Sequence, residues 1–280
     1  MLKRNACSRN FCHIPFVARI IYWTRSLHVP RLARVPMLLT ALSLFVPSLM
    51  AGEGGLAKRS SSPTSYIVIG FAGGFVRHDN LHHGPVQLAH RIQQDAPKGS
   101  YIRVFENRHR KDAYKTILSL VDTDHNGVLS EEEKARARII LFGHSWGASA
   151  VVMLARELDR VGIPVLLTVQ VDSVAKLWQH DGVIPDNVED AANFYQPHGL
   201  IHGRSVIRAA DGSKTHILGN YRFDYRETPA RCGQIDWFER TLIPSHMQSQ
   251  CDPHLWAEVE SLVLQRLTPE PGVLASNPHP

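Results

Sequence analysis

Four short apolar runs alternate with amphipathic segments through the middle of the chain. The runs are rich in β-branched and aromatic residues and end at glycine, proline or polar residues, as buried strands do. They are residues 66–71, 101–106, 137–143 and 164–171. The helical segments between them are 85–94, 112–121 and 147–161. Strands that alternate with helices predict an α/β fold, in which a mostly parallel sheet carries helices on both faces.

The pattern is weaker in the last third of the chain. Two further strands are predicted at 204–210 and 216–220, with either a loop or a cap over a site at 173–199. A last helix is predicted to begin at Pro253 with Asp252 as its N-cap.

The first 51 residues form a basic leader. They contain seven Lys and Arg and no Asp or Glu, and an uncharged apolar run of 14 residues, 37–50, precedes Ala51 and Gly52. A basic region, a short apolar region and a small-residue zone are typical of a secretory signal peptide, and the run is too short to span a bilayer. We therefore expect residues 1–51 to be cleaved and the mature chain to be secreted or periplasmic, without a membrane span. An organelle transit peptide is the alternative.

The rest of the chain divides into three parts. Residues 52–65 are rich in Gly and Ser and lack periodicity, so a flexible linker is expected there. Residues 66–268 are the predicted folded domain, and 269–280 the predicted disordered tail.

The net charge has a different meaning once the leader is set aside. The whole chain carries a formal charge of +5, but beyond the leader 24 basic residues face 26 acidic ones. A nucleic-acid partner is therefore not expected.

Two cysteines remain beyond the leader, Cys232 and Cys251. An even pair in a secreted protein predicts one disulfide, and two buried thiols are the alternative.

The strongest catalytic signal is GHSWG at 143–147, between a predicted strand and a predicted helix. A sharp strand-to-helix turn needs small residues two places before and two after its central residue, and Gly143 and Gly147 meet this need. Ser145 is then expected to stand above the sheet, at the helix N-terminus. A serine hydroxyl is a poor nucleophile, so a base and an orienting acid are required as well.

The region 66–267 resembles the serine esterases and lipases of the α/β-hydrolase superfamily, through GHSWG, the glycine turn after the first strand and the chain order Ser, Asp, His. The resemblance implies an α/β-hydrolase fold with the acid at the end of a later strand. Asp172, which directly follows the run 164–171, is the leading candidate, and Asp211 is the rival.

The same resemblance implies a histidine in a loop just before the last helix. His246 occupies that place, whereas His254 lies in the first turn of the helix and His216 in a predicted strand. A disulfide between Cys232 and Cys251 would bracket the loop that carries His246.

The tetrahedral intermediate of such an enzyme needs two backbone donors, which form an oxyanion hole. One is expected to be the amide of Trp146, the residue after the nucleophile. By resemblance to the family the other is Phe71, with Ala72 as the alternative.

Residues 122–133, DTDHNGVLSEEE, match the twelve-residue calcium loop of the EF-hand at every constrained position. Gly127 allows the turn at position six, and helices are predicted on both sides, at 112–121 and 131–138. The predicted ligands are Asp122, Asp124, Asn126, Val128 through its carbonyl, Ser130 and Glu133. Calcium, in a structural role, is thus the expected cofactor, and no organic cofactor is expected. Ser130 and Glu133 also match a capping box, which starts a helix without any metal.

Two other clusters are given structural interpretations. RHDNLHH at 77–83 has no zinc-like spacing and is predicted to be a polar loop at the rim of the site. Trp178, Phe194 and Tyr195 are predicted either to line an apolar acyl pocket or to belong to the core.

These observations predict a secreted serine hydrolase that cleaves small-molecule or lipid-like carboxylic esters through an acyl-enzyme. Two alternatives stay open: a calcium-binding protein on a catalytically silent scaffold, and an acyltransferase with the same triad. No oligomeric state is predicted.

Overall fold

The computed structural model describes residues 66–232 and 243–267. The predicted leader, linker and tail lie outside the described residues. Within the described ranges, no helix is both long enough and apolar enough to cross a membrane.

Eight strands occur in the described residues. They are β1 Ile67–Ala72, β2 Tyr101–Glu106, β3 Ile139–His144, β4 Val165–Val171, β5 Val183–Ile184, β6 Val188–Tyr195, β7 Arg208–Ala209 and β8 His216–Arg222. Six of them form one sheet in the order β2-β1-β3-β4-β6-β8, and all of its neighbouring strands are parallel. The short strands β5 and β7 pair separately, also in parallel.

Six α-helices accompany the strands in the same described ranges. They are α1 Gly84–Asp95, α2 Arg110–Val121, α3 Glu131–Ala135, α4 Trp146–Asp159, α5 Pro244–Cys251 and α6 Pro253–Leu267. A short 3₁₀ turn, Asn107–His109, leads into α2. The predicted start of the last helix is confirmed, because α6 begins at Pro253 and Asp252 Oδ1 accepts a hydrogen bond from the His254 amide at 2.9 Å.

The helices cover both faces of the large sheet. On one face α1 and α6 pack together, with Ile92 and Trp256 in a shared apolar cluster. On the other face α2 and α4 contribute Ile117 and Leu154 to a second cluster. The apolar runs are therefore buried from both sides, which explains their continuous hydrophobicity. This arrangement confirms the predicted α/β fold, in which a mostly parallel sheet carries helices on both faces.

Three elements differ from their predicted form, and for the two strands among them the cause is a buried polar or an exposed apolar residue. Strand β6 lies inside the segment predicted as loop or cap. It was not predicted as a strand because Asp190 and Asn193, although both buried, interrupt its apolar pattern. The strand predicted at 204–210 is reduced to β7, and Val206 is exposed. Helix α3 ends at Ala135, three residues short of its predicted end.

Candidate active site

Ser145 lies at the bend between β3 and α4. Its φ of 57° and ψ of −124° are rare for a residue other than glycine. Its amide donates to the carbonyl of Val171, at the end of β4, at 2.9 Å. The bend is crowded: a Cβ on Gly143 would lie 2.6 Å from the carbonyl carbon of Gly147, and one on Gly147 would overlap the carbonyl oxygen of Phe71. This is the geometry of a nucleophile elbow, with the two glycines where the sequence requires them.

The structure brings the predicted nucleophile, base and acid together. His246 Nε2 lies 3.0 Å from Ser145 Oγ, and His246 Nδ1 lies 2.7 Å from Asp172 Oδ2. The three residues are only 7%, 5% and 0% exposed. With the Nδ1 proton directed to the carboxylate, Nε2 is free to accept the serine proton. The arrangement can therefore carry a proton away from Ser145.

The rival residues lie elsewhere. Asp211 is half-buried, and its carboxylate accepts hydrogen bonds from Ser213. His216 pairs with Asp190 at 3.2 Å, and the His254 side chain is exposed.

His246 lies in a helix, not in the predicted loop. It is the third residue of α5, which begins at Pro244. Helix α5 is attached to α6 by the Trp256 indole, whose Nε1 lies 3.1 Å from the Ser249 carbonyl and 3.0 Å from the Gln250 carbonyl. The base is thus held on a short helix fixed to the helical layer, which limits its movement.

Asp172 is held by donors that the sequence does not reveal. Its side chain is fully buried, and its backbone φ is 44°. Gln196 Nε2 donates to Oδ2 at 3.0 Å, and the Gly203 amide donates to Oδ1. A Cβ on Gly203 would overlap Oδ1. A buried carboxylate needs such partners, and neither residue belongs to a catalytic motif.

Ser249 links the base, the acid and a second histidine. Its Oγ lies 2.7 Å from the His246 carbonyl, 3.3 Å from Asp172 Oδ2 and 3.1 Å from His144 Nε2. A hydroxyl has a single proton to donate, so His144 Nε2–H is the donor when Ser249 donates to the base or the acid. Ser249 therefore fixes the turn of α5 that carries His246.

Two further histidine rings pack behind the base, one tilted against it and the other edge-on to the first. The His144 ring centroid lies 4.9 Å from that of His246, and the His83 centroid lies 5.5 Å from that of His144. Burial lowers the pKa of His83 to about 3 and holds the pKa of His144 well below its usual value, with the nearby His246 charge adding to both effects. Both rings are therefore neutral at pH 7 and add no positive charge beside the base.

The turn after β1 lies beside Ser145, where the oxyanion hole is predicted. Trp146 is the first residue of α4, so its amide has no intrahelical acceptor, and it lines the pocket as expected. Phe71, the predicted second donor, and its alternative Ala72 are fully buried within β1, which extends one residue beyond the predicted strand. The residues of this turn that reach the pocket begin at Gly73, where a Cβ would lie 3.0 Å from Ser145 Cβ. The amides of Gly73 and Gly74 are therefore candidate donors beside those of Phe71 and Ala72.

Asn107 holds this turn in place. Its Nδ2 donates to the carbonyls of Ala72 and Gly74 at 3.2 and 2.6 Å. Its Oδ1 accepts from Lys176 Nζ at 2.6 Å, and the same ammonium lies 4.9 Å from the centroid of the Trp146 ring. One asparagine thus connects the turn after β1 to the residue that follows the nucleophile.

An apolar pocket of about 410 Å³ opens above Ser145 and His246. Its other apolar lining residues are Phe75, Val76, Val174, Ile201, Ile243 and Met247. The Phe75 ring is 78% exposed and packs edge-on against Trp146, with 5.5 Å between centroids. The pocket therefore offers apolar contact beside the candidate nucleophile.

The three aromatic residues predicted for an acyl pocket or the core do not line this pocket. Phe194 belongs to the core, stacked on Tyr221 at 4.8 Å. Trp178 is 92% exposed, and Tyr195 is half-buried at the end of β6. The polar segment 77–82 is exposed and directly follows the pocket residues Phe75 and Val76, but none of its own residues lines the pocket, and the adjacent His83 is fully buried.

The acidic loop 122–133 is compact. Carboxylate oxygens of Asp122, Asp124 and Glu133 lie within 4.8 Å of one another, and Gly127 has a φ of 81°. The capping box is also formed: Ser130 Oγ accepts from the Glu133 amide at 3.3 Å, and Glu133 Oε2 accepts from the Ser130 amide at 3.0 Å. Hydrogen bonds from Ser130 and Thr123 lower the Glu133 pKa to about 2, so this carboxylate is ionised at neutral pH.

The two cysteines are paired as predicted. Cys232 and Cys251 form a disulfide, with 5.6 Å between their Cα atoms. Cys251 is the last residue of α5, so the bond tethers the helix that carries His246.

No family model and no curated protein matches the chain. Among solved structures, it is similar to the RedJ thioesterase from the prodiginine biosynthetic pathway in Streptomyces coelicolor (9% identity, TM-score 0.38, covering 75% of this chain and 96% of that one). It is also similar to a cutinase-like protein from Cryptococcus sp. (14% identity, TM-score 0.37, covering 74% of this chain and 97% of that one). Human thioesterase 2 is similar as well (9% identity, TM-score 0.36, covering 72% of this chain and 96% of that one). Identities this low say nothing about what the chain acts on.

Proposed function

We propose that the chain is a serine hydrolase that cleaves carboxylic esters through an acyl-enzyme. The observation that carries the proposal is the continuous hydrogen-bonded path from Ser145 Oγ through the His246 ring to Asp172 Oδ2, with links of 3.0 and 2.7 Å. All three side chains are buried, and the nucleophile stands at the mouth of an apolar pocket. A catalytically silent scaffold has no need of this alignment.

In the proposed reaction His246 removes the Ser145 proton as Oγ attacks the ester carbonyl. Asp172 holds the ring in the required tautomer and stabilises the imidazolium that forms. The amide of Trp146 and one from the turn at Gly73 stabilise the oxyanion. Collapse of the intermediate breaks the bond to the alcohol oxygen, which takes its proton from His246. Water, activated by the same imidazole, then releases the acid and restores Ser145.

The pocket supports a substrate with an apolar acyl group. Its volume of about 410 Å³ is enough for a small-molecule ester or the end of a lipid-like chain. Apart from Ser145, the two histidines His144 and His246, and Gln250, the described lining side chains offer no charged or strongly polar group with which to recognise a charged or sugar-like substrate.

Covalent labelling tests the proposal. A fluorophosphonate reacts only with an activated serine, so we expect the folded protein to gain one adduct per chain, on Ser145, as located by peptide mass spectrometry. Ser145→Ala should take up none. Ser213→Ala, which changes an exposed serine, should be labelled like the unchanged protein. No adduct on the folded protein, or an adduct on another serine, would contradict the assignment.

A second part of the proposal is that calcium binds the loop 122–133 in a structural role. The carboxylates of Asp122, Asp124 and Glu133 converge, and Leu129 packs against the core next to the predicted carbonyl ligand Val128. The donor set is all oxygen, which suits calcium. The site would fix the end of α2 relative to α3, just before the strand that delivers Ser145.

Calorimetric titration tests the metal. We expect one calcium per chain with a dissociation constant on the order of 10⁻⁴ to 10⁻³ M. Asp124→Asn should abolish the binding heat, because it removes one ligand charge without touching the capping box. Glu132→Gln removes the same charge from an exposed neighbour in α3 and should leave binding unchanged. If millimolar calcium gives no heat, the capping box alone explains the loop.

The proposal places the mature protein in a secretory compartment. The basic leader has the order of a signal peptide, and the disulfide at the end of α5 requires oxidising conditions to form. The tether at Cys251 would then keep the base in position outside the cell.

A further inference from the structure

A second cavity, of about 270 Å³, is lined by different residues from the apolar pocket. Its charged or titratable lining side chains are His180, Arg204 and Arg208. Among the residues that the structure describes, none with an acidic side chain lines it. Strands β5 and β7 form one wall, with Val183 in register with Arg208. The cavity is therefore a concave basic site on a well-defined piece of backbone.

Arg204 is held in a fixed orientation. Its Nε donates to Asp181 Oδ1 at 3.0 Å, and the Asp181 side chain is only 1% exposed. The guanidinium lies directly against Gly182, where a Cβ would come within 2.8 Å of Nε. Only Nε of the guanidinium makes this hydrogen bond, and 43% of the Arg204 side chain stays exposed. The terminal nitrogens are thus left available to a ligand.

The cavity has more positively charged side chains than nearby carboxylates to neutralise them. Asp181 already accepts from Ser173 Oγ at 2.5 Å, and its field also acts on Arg156. Within the described residues, neither Arg208 nor His180 makes an ion pair or a side-chain hydrogen bond. One buried carboxylate therefore faces two arginines at the cavity and a third beside it, which favours an anion.

We propose that this cavity binds a compact oxyanion, a phosphate or carboxylate group, between Arg204 and Arg208. Two guanidinium forks offer the paired, charge-assisted donors that such groups accept. The cavity is larger than a phosphate ion alone, so it admits the first few atoms of the molecule that carries the group. It is a separate binding site from the ester pocket, and its occupancy does not depend on whether Ser145 is active.

The site has a direct connection to the candidate triad. Gly203, next to Arg204, donates to the Asp172 carboxylate, and the Arg204 amide donates to the Ser173 carbonyl at 3.1 Å. The Arg204 side chain also pairs with buried Asp181, which accepts a hydrogen bond from Ser173 Oγ beside Asp172, so replacing Arg204 would disturb both sites. Arg208 lacks such contacts and is the appropriate residue for a test.

The test measures thermal unfolding of the full purified chain in inorganic phosphate, with sodium chloride at matched ionic strength as the reference. Phosphate should raise Tm in a saturable way, because it binds only the folded state. Arg208→Gln should raise the half-saturating phosphate concentration by about tenfold or more, since it removes a charged pair of donors. Arg208→Lys keeps the positive charge but loses the paired donors of the guanidinium. Its half-saturating phosphate concentration should lie between those of the unchanged protein and Arg208→Gln.

Lys214→Gln is the matched control, because it removes a positive charge outside the cavity, from a lysine paired with Asp186. It should leave the half-saturating concentration unchanged. Acetate distinguishes the two ligand sources: saturable stabilisation by phosphate alone indicates a phosphate ester, and stabilisation by both ions indicates a carboxylate-accepting site. An effect no larger than that of chloride, or an equal half-saturation in Arg208→Gln, would overturn the proposal.

Discussion

Replacing His246 with Ala is expected to lower kcat for ester hydrolysis by about 10⁶-fold. Within residues 66–232 and 243–267, the His246 ring is the only group within hydrogen-bond distance of Ser145 Oγ, with Nε2 at 3.0 Å. Without it the hydroxyl keeps its proton at neutral pH, and the leaving alcohol has no acid to protonate it. Steady-state kinetics on a soluble ester of an apolar acid measures the loss, with circular dichroism to verify that α5 is intact.

His254→Ala is the matched control, because it removes an exposed imidazole from the next helix. It should keep kcat within about twofold, as surface substitutions generally change little. Activity in His246→Ala close to that of the unchanged protein would show that another base serves Ser145. A large loss in His254→Ala alone would move the base to that helix.

Replacing Asp172 with Asn is expected to lower kcat by about 10⁴-fold while the chain stays folded. The change conserves shape, but an amide in place of the carboxylate no longer stabilises an Nδ1–H imidazole, so His246 adopts the tautomer that cannot accept the serine proton. The 2.7 Å link between Nδ1 and Oδ2 is what the substitution weakens. The loss should appear in kcat, with KM for the same soluble ester changing little.

Asp211→Asn provides the matched comparison, since Asp211 is the rival acid in the sequence. Its carboxylate accepts from the Ser213 amide and hydroxyl and makes no contact with His246, so no change in kcat is expected. Equal losses in the two variants, or a loss in Asp211→Asn alone, would contradict the assignment of Asp172.

The sequence was sufficient for the parts of the site that depend on local chain geometry. The pattern GHSWG between a strand and a helix predicts the bend at Ser145, because only small residues fit at Gly143 and Gly147. The family resemblance made Asp172, at the end of a buried strand, the leading of two candidate acids, and it is the one that lies 2.7 Å from His246. Continuous apolar runs likewise predict β1 to β4 to within about two residues, the usual uncertainty of an element boundary.

The parts that the sequence did not predict depend on long-range contacts or on a boundary shift. Asn107, Gln196 and Ser249 act through hydrogen bonds to residues far away in the chain, and their residue types carry no spacing that marks them. Strand β1 extends to Ala72, one residue beyond the predicted strand, so Gly73 and Gly74 join Phe71 as candidate oxyanion donors. Strand β6 was missed because its buried polar residues conceal the strand pattern.

The contact between Gly203 and Asp172 shows how a position with no functional group can be essential. The donor is a main-chain amide, so no exchange of side chains can remove it, yet even the methyl group of alanine at 203 would displace the carboxylate that it supports. A survey that looks only for acids, bases and nucleophiles would pass over this residue. Engineering of the neighbouring basic cavity should therefore leave position 203 unchanged, because even a methyl group there would shift the Asp172 carboxylate and with it the His246 ring that it orients.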